Sequence, residues 1–237
     1  MNRIFRWSWF SALALSFIAL TAGLGVWQIQ RGQYKQGLLD ALTVAATQPP
    51  VTLMRGSAAG EYPVRVQASG RYDIVFQLLL DNQTHEQKPG YHVWTPFQLA
   101  DGSVILVNRG WLPANPDRRV LPALPAPDTA QVSGLWRALP QPGLRLAKVA
   151  NCPDQKTFPA VVSYPDLEDL RCLLGENVIA GVLLLDAAAP GGFVREWNAR
   201  FVRLPPSRHY AYAATWFLLC ATLMFLLVRI HLKKSHE

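Results

Sequence analysis

Half of the chain's 237 residues are hydrophobic, and 23 basic against 16 acidic side chains give it a formal charge of +7. That excess excludes no membrane protein and does not call for a nucleic acid. Arg3, Arg6, Arg229, Lys233 and Lys234 sit in the two terminal tails beside the single acid Glu237, and no basic run interleaved with stacking aromatics lies between the tails.

Residues 1–6 form a basic tail. Residues 7–30, uncharged between Arg6 and Arg31, are long enough to cross a hydrocarbon core, which takes about 20 residues at a rise of about 1.5 Å each. Trp7, Trp9 and Trp27 bracket the run as interfacial anchors. A cleaved secretory signal is the rival reading, because Arg3 and Arg6 precede the run and Leu20-Thr21-Ala22 loosely resembles a cleavage site. Signal cores span roughly 7–15 residues, and here a helical pattern continues through Trp27, Arg31, Lys35 and Leu39, which favours an uncleaved anchor. Ala12 with Ser16 and Ala19 with Gly23 permit close packing against a second span or a partner helix.

Residues 31–208 read as one domain. Its first stretch, 31–47, extends the helix until Pro49 and Pro50 stop it. Strands are expected at 64–72, 75–81, 131–138, 160–163, 178–186 and 199–204, and a hairpin pairs 90–99 with 103–111 through a type I′ turn at Asp101-Gly102. Residues 113–127, with five prolines, form an extended surface connection, and 165–174 a short helix with Asp166, Glu168 and Asp169 in its first turn. Residues 209–228 are a second span, and 229–237 a basic tail. The fold class is an α+β membrane protein in which two transmembrane helices flank one β-dominated domain, an antiparallel sheet or partial barrel. Cys152 and Cys172 either pair, which would contribute roughly 3 kcal/mol, or remain reduced thiols; Cys220 packs within the second span.

Chemistry is sparse. No nucleophile elbow, P-loop, dinucleotide fingerprint or zinc spacing occurs, so no enzyme is expected. Glu168 and Asp169 read as a solvated helix start. His85 in a polar loop (82–89), His92 along a strand, and His231 and His236 in the tail read as solvated. His209 differs, since an ionisable group at the edge of a span asks for a reason. At about 100° per residue, Tyr212, Ala213, Trp216 and Cys220 share its face. Two readings stand: an imidazole snorkelling at the interface, or an axial ligand to haem iron with a flat macrocycle against this stripe and Arg208 meeting a propionate.

Several motifs, in order along the chain, carry a resemblance. Leu24-Gly25-Val26-Trp27-Gln28 with Arg31 and Lys35, Gly70-Arg71-Tyr72, Gly90-Tyr91 with Pro96, the run Val104–Pro113, and His209 followed by Tyr212-Ala213 and Thr215-Trp216-Phe217 are similar to the Surfeit locus family of cytochrome c oxidase assembly factors. The resemblance covers nearly the whole chain; the family's asparagine and leucine on either side of the histidine are replaced by Arg208 and Tyr210. It implies a non-enzymatic factor that helps place haem a into subunit I of an aa3-type oxidase, with His209 as the haem-binding position. Subunit I, the haem a synthase and membrane lipid are the implied partners; the alternative is a scaffold that stabilises oxidase intermediates without touching haem.

Within the motif Asn108-Arg109-Gly110-Trp111, a bulge or close backbone approach at Gly110 and an Arg109–carboxylate pair are expected, a structural role in preference to a partner contact. Trp27 reads as an interface anchor and Gln28 as a helix-end hydrogen bond. The basic tails place both termini in the cytoplasm and residues 31–208 outside the membrane. A first span starting within ten residues of Met1 leaves no room for an organellar presequence, so the expected setting is a bacterial inner membrane with a periplasmic domain.

Overall fold

The computed structural model describes residues 2–141, 157–197 and 204–235. It divides into two units, Met1–Asp40 with Ala199–Glu237, and Ala41–Asn198.

The first unit is helical. Helix α1 (Asn2–Thr47) ends just before Pro49 and Pro50, as residue 48 is pushed out of helical geometry by the proline after it. Two further helices among the described residues are α2 (Leu167–Leu174) and α3 (Pro206–Ser235). The last begins three residues before the expected span because proline suits a first helical turn, where its missing N–H is no loss. Both α1 and α3 are long and apolar enough to cross a membrane, and their apolar windows are only 11 % buried. Trp9, Leu13, Phe17, Leu20, Leu218 and Phe225 face outward. An outward apolar surface of that extent suits hydrocarbon rather than water.

Among the described residues the second unit has eight strands: β1 (Val51–Thr52), β2 (Val64–Tyr72), β3 (Leu78–His85), β4 (Lys88–Leu99), β5 (Val104–Pro113), β6 (Gln131–Arg137), β7 (Ala160–Val162) and β8 (Val178–Leu185). They run β1-β2-β6-β8-β5-β4-β3-β7, and an added β2–β4 pairing closes the middle five into a small barrel. The partial barrel, not the open sheet, is the outcome, and it is mixed: β1–β2, β5–β8 and β3–β7 are parallel. Val66, Ala68, Phe97, Leu99, Ile105, Val107, Val132, Trp136, Leu183 and Leu185 fill it, mostly from alternate strand positions. A second cluster, Leu79, Tyr91, Val93 and Leu112, is covered by Leu121 and Leu124. The proline-rich connection is extended as expected, and it also caps this cluster.

Two expectations need correction, and a third lies outside the described residues. Residues 82–85 are strand, not loop: β3 and β4 join through Glu86-Gln87, both at positive φ (47° and 65°), a tight turn without the usual asparagine or glycine. At Asp101-Gly102 only Gly102 has positive φ (78°), and the Gly102 N–H donates to Leu99 O while the Leu99 N–H donates to Ser103 O. That is a type I turn closed by a glycine bulge rather than a type I′ turn. Asp101 also accepts from the Ser103 hydroxyl and backbone, and these bonds hold its carboxyl below the usual range. Finally, the strand expected at 199–204 falls essentially outside the described residues.

Helix α2 starts with a capping box: Asp166 accepts from the Asp169 N–H and Asp169 from the Asp166 N–H. The carboxylate of Asp169 serves the helix start and is buried, correcting its assignment to solvent. Cys172 on this helix is disulfide-bonded; Cys152, the partner the sequence offers, lies outside the described residues. Cys220 is a buried free thiol, its Sγ 3.7 Å from Ile18 O.

Candidate functional site

In the helical unit, α1 offers α3 a stripe of Ile18, Thr21, Gly25, Gln28 and Gly32, spaced by three or four residues. Close approach makes two of these glycines necessary. A Cβ at Gly25 would lie 2.7 Å from the Phe217 ring, and one at Gly32 2.7 Å from the Tyr210 ring. Ala12, Ser16, Ala19 and Gly23 do not serve this contact: they are exposed, and nothing lies within 4 Å of a Cβ built on Gly23.

His209 lies in this seam, 7 % exposed, with Nδ1 2.7 Å from Gln28 Oε1. An amide oxygen only accepts, so the ring donates from Nδ1 and its lone pair sits on Nε2. Among the described residues Nε2 has no hydrogen-bond partner. Arg31 and Lys35 are cations near enough to act on the ring electrostatically. Both also lie against the Tyr34 ring, at 4.9 and 5.6 Å from its centroid.

The stripe expected below His209 is divided. His209 and Cys220 contact α1, Ala213 between them is buried and Trp216 is half-buried, so a flat macrocycle cannot lie along that line without displacing α1. Arg208 and Tyr212 are exposed and lie about 100° and about 60° around the helix to one side. Tyr210 and Phe217, which cover the α1 glycines, lie about 100° and about 80° to the other. The open flank of the imidazole is the Arg208–Tyr212 side. Trp27 is exposed, in keeping with an interface anchor. Gln28 is more than a helix-end hydrogen bond, since it holds the candidate ligand itself.

In the β unit, Asn108, Arg109, Gly110 and Trp111 are all buried. Opposite the single Val93, β5 carries both Arg109 and Gly110, the two-against-one count of a β-bulge. Gly110 has φ 115°, and a Cβ there would sit 2.6 Å from Val194 O. Asn108 Oδ1 accepts from the Gly110 N–H and from His92 Nδ1, at 3.1 and 3.0 Å. His92 is therefore buried and bonded, correcting its assignment to solvent. His85 is half-buried against Trp111, 5.0 Å between centroids. The bulge exposes backbone groups that a passing segment takes up: the Trp111 N–H donates to Val194 O, and the Phe193 N–H to Arg109 O.

Arg109 is 1 % exposed, and among the described residues its partners are not carboxylates. Nε and Nη2 donate to Gly191 O, Nη2 to Pro125 O, and Nη1 to Gln77 Oε1 and Thr95 Oγ1. The expected ion pair is replaced because carbonyl oxygens converge on all arms of the fork, satisfying its donors without a second buried charge. Burial pushes the Arg109 guanidinium below its ordinary pKa, and likewise that of Arg195. Tyr72, between them electrostatically, is pushed up to about 12 by its own burial, a shift the two arginines only partly oppose. With these side chains enclosed, the motif acts as a rivet joining β5, the proline-rich connection and the 191–194 segment.

A groove of about 320 Å³ between Phe76, Gln98 and Leu173–Asn177 is lined by two acids, Asp73 and Glu176, and no histidine or cysteine. No group of three or more histidine, cysteine or acidic side chains suited to a metal occurs among the described residues.

Fold and site together fit a membrane protein with two span-length helices and a partial five-stranded β-barrel. The chain belongs to the SURF1 family, which it matches over residues 15–221. It is 29 % identical over 238 residues to Surfeit locus protein 1 of Takifugu rubripes, covering 91 % of this chain and 94 % of that one. A SURF1-like protein of Monosiga brevicollis is 30 % identical over 246 residues (94 % and 88 %), and Surfeit locus protein 1 of Rattus norvegicus 27 % over 244 (93 % and 76 %). The family likeness carried by the motifs around Trp27, Trp111 and His209 is thus correct.

Proposed function

We propose that the protein is a membrane-anchored assembly factor for an aa3-type cytochrome c oxidase and assists delivery of haem a to subunit I. One observation carries this reading: His209 is buried beside α1 with its Nδ1–H given to Gln28 and its Nε2 lone pair uncommitted. This is the state in which an imidazole ligates iron, its other nitrogen bonded to an acceptor. The residues present fit the group. His209 would supply a nitrogen to the iron; Arg208 and Tyr212, exposed to one side of it, would supply a cation for a propionate and an aromatic face, and the half-buried Trp216 would add apolar surface. Haem a is the cargo, whose iron and propionates provide the handles. The chain's own work is to hold Nε2 deprotonated, exclude water with the α1 seam, and leave one flank open for loading.

In this account both basic tails lie in the cytoplasm and the barrel lies on the periplasmic side of a bacterial inner membrane, where it meets subunit I or the haem a synthase. The factor performs no catalysis. Full-length protein purified in detergent after co-expression with haem a biosynthesis should show a Soret band that His209→Ala abolishes. Equal bands in both proteins, or a band in neither, would reject the haem role. The His209–Gln28 bond also suits the scaffold reading, in which it merely clamps two helices. Under that reading the variant loses helix packing but no cofactor.

A further inference from the structure

We propose that Gln28 is a positioning residue for His209, fixing which ring nitrogen carries the proton and, as a neutral acceptor, keeping the bond to iron weak enough to be surrendered. The inference rests on the haem-handling reading above. An imidazole without an acceptor at Nδ1 can place its proton on either nitrogen, and a proton on Nε2 blocks that atom as a ligand. In this chain the choice is made by one contact, 2.7 Å between His209 Nδ1 and Gln28 Oε1. The contact is held by packing on either side. Gly25 and Gly32, one turn before and after Gln28, have no room for a side chain against Phe217 and Tyr210, so α1 lies near enough for the amide to reach the ring.

The type of acceptor matters as much as its position. A carboxylate bonded to the distal nitrogen of a ligating histidine raises the ring's basicity and tightens the metal bond. A glutamate is one atom's difference from glutamine, and the cations Arg31 and Lys35 act electrostatically on the ring it would bond. Glutamine instead orients the ring and lends it little negative charge. That combination suits a protein that must both accept a haem and give it up.

The test uses full-length protein in detergent, as wild type, Gln28→Met and Gln28→Glu, with hemin as the probe. Three quantities are read: the His209 tautomer in haem-free protein from 15N chemical shifts, hemin affinity from the Soret band, and the midpoint potential of the hemin complex. Wild type should carry Nδ1–H. Gln28→Met, similar in size but without an acceptor, should mix the tautomers and weaken hemin binding about 10- to 100-fold. Gln28→Glu should keep Nδ1–H, bind hemin at least as tightly as wild type and lower the potential. Should Gln28→Met not fold, the potential of Gln28→Glu decides, and no change from wild type overturns the inference. A folded Gln28→Met with unchanged tautomer, affinity and potential overturns it while leaving haem handling intact. Wild type that holds Nδ1–H but takes up hemin no better than His209→Ala rejects haem handling, and this role for Gln28 with it.

Discussion

Replacing Arg109 with methionine removes a buried cation but strands the oxygens it serves. Gln77 Oε1, in a buried bond, and Gly191 O and Pro125 O, in part-buried ones, lose their donors. Each orphaned acceptor costs roughly 1–3 kcal/mol, and relief from burying a charge offsets part of the sum, so a net loss of about 3 kcal/mol is expected. For a domain of this size about 2–4 °C accompanies each kcal/mol, which places the melting temperature roughly 6–12 °C lower. Arg109→Lys should fall almost as far, because an ammonium cannot reproduce a planar fork that donates from Nε, Nη1 and Nη2 at once. Melting of the full chain in detergent, followed by near-UV circular dichroism, makes the measurement. A melting point for Arg109→Met within about 1 °C of wild type, or full recovery in Arg109→Lys, would refute the claim that the fork rivets three segments together.

Gly110→Ala should destabilise the same unit by about 2 kcal/mol or more, from strain at φ 115° and the clash with Val194 O, again read from melting. Tyr72→Phe should be neutral or stabilise by up to about 1–2 kcal/mol near pH 7, because the buried hydroxyl has no hydrogen-bond partner among the described residues. Tyr72 also sets an alkaline limit: its folded pKa of about 12 lies above the unfolded value of about 10, so its stabilisation is complete below pH 10 and is lost as pH rises through 10 to 12. Denaturant melts across that range should show a slope that Tyr72→Phe reduces, and an unchanged slope would contradict the assignment. Gly25→Leu should push Phe217 and α3 away, break the His209–Gln28 bond and lower co-purifying haem, while leaving near-UV signals of the β unit unchanged.

Where local chemistry decides an element, the sequence disclosed it. Pro49-Pro50 ends α1, the acids at 166, 168 and 169 mark the start of α2, although Asp166 proves to be its cap and not part of its first turn, and β2 was legible at its full length. The turn at Glu86-Gln87 was not, since neither residue favours positive φ, and pairing of β3 with β4 on both sides imposes it. Barrel closure depends on β2 meeting β4, a contact between residues nearly thirty apart that no local pattern encodes. The glycine at 110 announced a close approach, yet the carbonyl partners of Arg109 come from residues 125 and 191 and were invisible, so a carboxylate was expected instead.

His209 itself could be singled out from its place at the head of a span. Its acceptor could not, because a glutamine 181 positions away becomes its neighbour only once two helices pack. That α1 covers part of the stripe below His209 was hidden for a related reason: helical periodicity says which side chains share a face, not what covers that face. A useful signal was present in the Gly25-x-x-Gln28-x-x-x-Gly32 spacing, which marks a close helix contact with one polar group in it.

The most direct measurement is made on the client. In cells whose only copy of the factor is His209→Ala, expressed at wild-type level, the ratio of haem a to subunit I in purified oxidase should fall well below that of cells carrying wild type. Oxidase with its full complement of haem a in those cells would contradict the account.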